Sequence, residues 1–98
     1  SVLTVDSDWR IVYVNSATAR FVGQTTDELL GRDLWQTFPA LIGTAYEANV
    51  RRAMAEQAST SFENFYPPIG KWFAMRVHTA PGLLTLFSTD ITARKRQE

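Results

Sequence analysis

From Thr60 to Thr89 the chain carries three runs of strand-forming residues, interrupted only by the turns Pro67-Pro68-Ile69-Gly70 and Ala80-Pro81-Gly82. Connections this short leave no room for a crossover, so the runs Thr60–Tyr66, Lys71–Thr79 and Leu83–Thr89 must pair as antiparallel neighbours. Two shorter β-branched runs, Val2–Val5 and Ile11–Val14, are separated by the polar stretch Asp6-Ser7-Asp8-Trp9-Arg10 and read as a hairpin. Strands at both ends of the chain with helical signals between them predict an α+β fold. Its antiparallel sheet carries helices on one face.

Those helical signals are local and chemical. Asn15 can accept from the free amides of a helix starting near Ser16, and Gly23 stands where it would end, with Ala19 and Phe21 to Val22 turned inward. Thr25 and Glu28 have capping-box spacing ahead of a turn at Asp27–Leu30, closed by Gly31. Leu34, Trp35 and Phe38 precede Pro39 in a stretch short and irregular enough to read as a packed connector. The longest helix is placed at Ala45–Gln57. Thr44 and Glu47 form its second capping box, Tyr46, Val50, Ala53 and Met54 its inner stripe, and Glu47–Arg51 and Arg52–Glu56 its outer pairs.

Alternation assigns the sheet faces. Phe73, Met75 and Val77 form an apolar set that should face the helices, while Trp72, Ala74, Arg76 and His78 face outward. Ile11 and Tyr13 are assigned with Trp72 to that outer face, giving it more apolar area than solvent normally meets, so these three residues form a candidate homodimer face.

Ten basic and ten acidic residues cancel, which provides no long-range field to attract nucleic acid or an acidic membrane. No apolar run reaches the roughly 20 residues that span a bilayer, and no signal peptide is evident. The chain is expected to be cytoplasmic, with no nucleic-acid partner and no membrane insertion. It lacks cysteine, which removes disulfides, thiolate nucleophiles and the thiol of a flavin adduct together.

The order of these pieces resembles the PAS domains of bacterial sensor histidine kinases and related multidomain signalling proteins. The resemblance runs through Arg10-Ile11-Val12-Tyr13-Val14-Asn15-Ser16-Ala17, Asp27-Glu28-Leu29-Leu30-Gly31-Arg32-Asp33-Leu34-Trp35 and Phe38-Pro39. It continues in Ser61-Phe62-Glu63, Tyr66-Pro67-Pro68 and Gly70-Lys71-Trp72-Phe73, and closes on Asp90-Ile91-Thr92-Ala93-Arg94-Lys95-Arg96. It implies a five-stranded antiparallel sheet in spatial order 2-1-5-4-3 whose helices enclose a cavity for a small ligand. Residues 1–92 would be the sensory domain and 93–98 the start of a linker helix toward a covalently attached output domain. Asp90, Ile91 and Thr92 would be the coupling residues.

Three positions depart from that pattern. Trp9 occupies a turn position where the family commonly has glycine, Leu83 another, and Thr89 stands where a basic residue is frequent beside Asp90. A left-handed backbone at Trp9 would carry strain of about 1 kcal/mol or more.

Phe21, Leu34, Phe38, Tyr46, Val50, Met54, Phe62, Phe73 and Met75 are the candidate lining of the ligand cavity. The single histidine, His78, lies on a strand, and the long helix holds none, so haem ligated from that helix is disfavoured, as is a cysteinyl-flavin adduct. No metal site is assigned. Asp6 and Asp8 read as turn residues, Asp33 as loop and Glu63 as a strand carboxylate beside phenylalanines, without a histidine or cysteine to complete a catalytic set. The domain is therefore expected to be non-catalytic, a sensor acting on an output domain of the histidine-kinase kind. The alternative is a ligand-free PAS module for dimerisation or protein interaction.

Overall fold

The computed structural model describes residues 1–98 and contains five strands: β1 (Val2–Asp6), β2 (Ile11–Val14), β3 (Thr60–Tyr66), β4 (Lys71–Ala80) and β5 (Leu83–Asp90). They form one antiparallel sheet in the order β2-β1-β5-β4-β3. The first strand thus pairs with the last, and both chain ends meet at the centre of the sheet. Five helices accompany it: α1 (Ser16–Val22), α2 (Thr26–Leu29), α3 (Leu34–Thr37), α4 (Ala45–Glu56) and α5 (Thr92–Arg96). The predicted α+β class, strand order and helical segments of the sheet cover are all present.

The caps explain where the helices start. The Asn15 carboxamide oxygen accepts from the Thr18 amide, and Gly23 closes α1 at φ 69°, a left-handed conformation that glycine adopts without steric cost. Thr25 and Glu28 complete their capping box at 3.1 and 3.0 Å. At α4 the second predicted box does not form. Glu47 instead accepts from the Gly43 amide at 2.8 Å, and the Thr44 hydroxyl donates back to the Leu41 carbonyl. Glu47 does pair with Arg51 at 2.9 Å, whereas Arg52 turns to Asn49 and leaves Glu56.

The connector at Leu34–Phe38 is a turn of helix, α3, and this corrects the reading of an irregular segment. Asp33, read as loop, is its N-cap, with one carboxylate oxygen accepting from the Trp35 and Gln36 amides. That cap fixes Leu34 and Trp35 inward, and both are buried.

The core lies between the helices and the inner sheet face. Leu3 and Val5, Phe73, Met75 and Val77, and Leu84 and Leu86 contribute from the strands, and Ala19, Leu29, Tyr46, Val50 and Ala53 from the helices. Ile11 belongs to this core at 1% exposure, which overturns its assignment to an outer dimer face. The cause is a register shift in the β1–β2 pair: Thr4 faces Tyr13 but Val5 faces Ile11, leaving Val12 as an extra residue. A bulge of this kind shifts the parity of the strand, so Ile11 and Val14 both point inward while Val12 and Tyr13 point out.

Candidate functional site

Between α1, α3, α4 and the inner face of the sheet lies a cavity of about 110 Å3, lined by 16 residues of which 12 are apolar. Six of the nine residues assigned to it from sequence line it: Phe21, Leu34, Phe38, Tyr46, Phe73 and Met75. Val50, Met54 and Phe62 do not; Val50 is fully buried core under α4, and Met54 and Phe62 pack against that core. The sequence reading missed Leu3, Val22, Leu41, Tyr66, Ile69 and Leu86, and the polar residues Ser1, Thr18, Asn64 and Ser88. Pairing of the chain ends brings in Leu3, Leu86 and Ser88. Alternation along β3 could have found Asn64 and Tyr66, which share the face of Phe62.

Phe21 is 40% exposed and Ile69 is also exposed, so the cavity opens to solvent between α1 and the turn after β3. Phe21 is held at this rim by an edge-to-face contact with Phe73, ring centroids 5.5 Å apart. Deeper, Tyr46 is only 7% exposed and packs edge-on against Trp35 and Phe62. Burial, reinforced by the neighbouring Tyr66, raises the Tyr46 hydroxyl's pKa above the ordinary tyrosine value, and burial raises that of Tyr66 as well. Both phenols therefore stay protonated at physiological pH and act as neutral hydrogen-bond donors.

The second feature is the joint at the end of β5. The Ile91 amide donates to the Trp72 carbonyl at 2.9 Å, and the Trp72 amide donates to the Thr92 hydroxyl oxygen at 3.0 Å. One residue of β4 thus spends both of its main-chain groups on the exit segment. Asp90 accepts from the Thr92 amide through one oxygen at 2.9 Å and meets the Lys71 ammonium with the other at 3.2 Å. Hydrogen bonding from Thr92, side chain and then main chain, with added help from Lys71, holds the Asp90 carboxyl at a pKa of about 2, below its ordinary 3.8. Lys71 supplies the cation that the sequence lacks at Thr89.

Beyond the joint, α5 lies over the end of β3 and β4. Glu63 takes hydrogen bonds from both Arg94 and Lys95, the latter at 2.8 Å, and these cations lower its pKa. The Lys95 ammonium sits 4.7 Å from the centre of the Trp72 ring. Trp72 is thereby covered from within the chain, so of the three proposed outer-face residues only Tyr13, at 52% exposure, stands open. The centre of that face is polar, with the Thr4 and Thr85 hydroxyls bonded across the strands. His78 stands on the outer face edge-on to Phe87, away from the cavity.

A meandering antiparallel sheet that shelters an apolar cavity on one face and launches a tethered helix from its central strand places the chain among small α+β signalling folds. A family model described as the PAS fold matches residues 1–96, and the chain belongs to that family of sensory domains. The fold is shared with a sensory box sensor histidine kinase from Vibrio cholerae at a TM-score of 0.77, with 17% identity over 93% of this chain and 81% of that one. It is similar also to the RpfR quorum-sensing receptor PAS domain of Cronobacter turicensis, in complex with BDSF: TM-score 0.76, 22% identity, 93% and 92% coverage. A domain of an HTR-like protein from Haloarcula marismortui gives 0.75, 19% identity, and 93% and 96% coverage. Comparison with curated proteins gives no match.

Proposed function

We propose that this PAS domain senses a small ligand in its cavity and passes the change to a covalently linked output domain through α5. The parent on this reading is a cytoplasmic histidine kinase of a two-component phosphorelay, and the domain itself is non-catalytic. The supporting observation is the position of Trp72: its main chain holds Ile91 and Thr92, and its immediate neighbour Phe73 lines the cavity. A ligand that moves Phe73 therefore displaces a strand position one residue from the joint. Such a ligand shifts the balance between two linker arrangements by its differential affinity for them.

Asp90→Ala removes the carboxylate that fixes the Thr92 amide and Lys71 while leaving the core untouched. The domain should remain folded, and the full-length kinase should lose the dependence of autophosphorylation on ligand. Wild-type ligand dependence in that variant, measured by phosphate incorporation, would show that the signal leaves by another route.

Homodimerisation has a narrower basis than the sequence suggested. With Ile11 in the core and Trp72 under Lys95, the remaining apolar surface on β2 is Val12 and Tyr13, at the sheet edge. If two copies meet there, Tyr13→Glu shifts sedimentation from dimer to monomer with no change in the circular dichroism spectrum. A sedimentation profile unaltered by the substitution would place any dimer contact elsewhere.

A further inference from the structure

The cavity has no charged side chain in its lining, and its polar groups are unevenly committed. The Thr18 hydroxyl donates to the Val2 carbonyl or to Asn15, and the Ser88 hydroxyl is bonded to that of Ser1. The Tyr46 and Tyr66 hydroxyls and the Asn64 carboxamide have no such partner. All three lie on α4 and β3, so the uncommitted hydrogen-bonding capacity is gathered on one side of an otherwise apolar space. The Tyr46 phenol has no protein partner, so a ligand that displaces water from the cavity must accept from it or leave that donor unpaired.

Taking the domain as a ligand sensor, we propose that the cavity binds an uncharged, mainly apolar molecule with a single hydrogen-bond acceptor, which takes its bond from Tyr46 and Tyr66. An ionised ligand meets no charged side chain in the lining, and the Ser1 ammonium is already bonded to the Ser88 carbonyl, so its charge would be poorly compensated at a strongly unfavourable cost. Size follows from volume. A dry cavity of about 150 Å3 accommodates benzene, and this one measures about 110 Å3 with an open rim at Phe21 and Ile69. The buried part of the ligand is therefore roughly the size of a six-membered ring. Asn64, beside the two phenols, can take up a donor on the same ligand, as a hydroxyl or an amide would present.

The test uses three probes of similar bulk on the isotope-labelled 98-residue chain: cyclohexanone, toluene and cyclohexanecarboxylate, followed through amide resonances of Phe73, Met75 and Leu86. Cyclohexanone should bind best and the carboxylate at least tenfold more weakly, since only the former matches neutral donors. Tyr46→Phe should weaken cyclohexanone roughly three- to tenfold, the value of one hydrogen bond, and leave toluene unchanged. Tyr66→Phe provides the same comparison at a less buried site should the first variant fold poorly. Carboxylate binding equal to that of the ketone, or ketone binding indifferent to both tyrosines, would overturn the ligand class while leaving a sensor of another chemistry. No shift at these resonances with any probe would instead remove ligand sensing itself.

Discussion

Ile11→Glu is expected to destabilise the domain severely. The side chain is 1% exposed and faces Val5 across the bulge, so the substitution removes a fully buried aliphatic group and places a carboxylate among apolar core residues. The lost burial alone is about 1.5–3 kcal/mol, and the unpaired charge brings the total to about 4 kcal/mol or more. Single domains are stable by roughly 5–15 kcal/mol, so a domain near the lower end of that range loses most of its margin. Urea denaturation followed by far-UV circular dichroism measures this directly, with Ile11→Val as the control at about 0.5–1.5 kcal/mol. A midpoint for Ile11→Glu equal to that of the parent would mean that Ile11 faces solvent and that the register shift in β2 is wrong.

That pair of residues also shows what a sequence can and cannot reveal. Strict alternation assigns Ile11 and Tyr13 to one face, and it succeeds along β4, where Phe73, Met75 and Val77 are all buried as predicted. It fails in β2 because one extra residue, Val12, inverts the pattern, and a bulge is set by the partner strand and by the turn. Caps divide in the same way. Asn15 and the Thr25–Glu28 box act within a few residues of their targets and were legible, whereas Glu47 was drawn to the amide of Gly43 by the path of the loop before α4.

The site follows the same rule of distance. Aromatic residues near helices, such as Phe21, Phe38 and Tyr46, were found because apolar helix faces are visible in sequence. Ser88 and Leu86 reach the cavity only because β5 pairs with β1, which no local pattern encodes. Lys71 stands 19 residues before Asp90 and meets it only through the β4–β5 ladder. The Asp90-Ile91-Thr92 segment was readable as the junction of strand and helix, but its anchor on Trp72 and the grip of Glu63 on Arg94 and Lys95 were not.

Trp35→Ala should cost about 3–5 kcal/mol, the usual range for emptying a buried large aromatic site, and it should lessen the cost of a second substitution at Trp9. Trp9 has φ 65°, a left-handed backbone that disfavours any residue with a side chain. What keeps it there is contact: its ring lies 5.3 Å from that of Trp35, and the Arg51 guanidinium stands 5.2 Å from one ring and 4.7 Å from the other. Glu47 holds Arg51 in place, so the stack is fixed from α4. With Trp35 present, Trp9→Gly relieves about 1 kcal/mol of strain but loses an aromatic pair and a cation–π contact worth about 1–2 kcal/mol together with ring burial, and the net result is destabilising. With Trp35 already replaced by alanine the ring–ring contact is gone while the Arg51 contact and the strain remain, so the same glycine costs less. A double-mutant cycle by urea denaturation should give a coupling of about 1 kcal/mol or more between the two positions. Trp35→Phe isolates the packing from the polar atom, because the indole nitrogen is buried without a hydrogen-bond partner and its removal forfeits none. Additive effects within about 0.3 kcal/mol would show that the left-handed turn is held by something other than this stack.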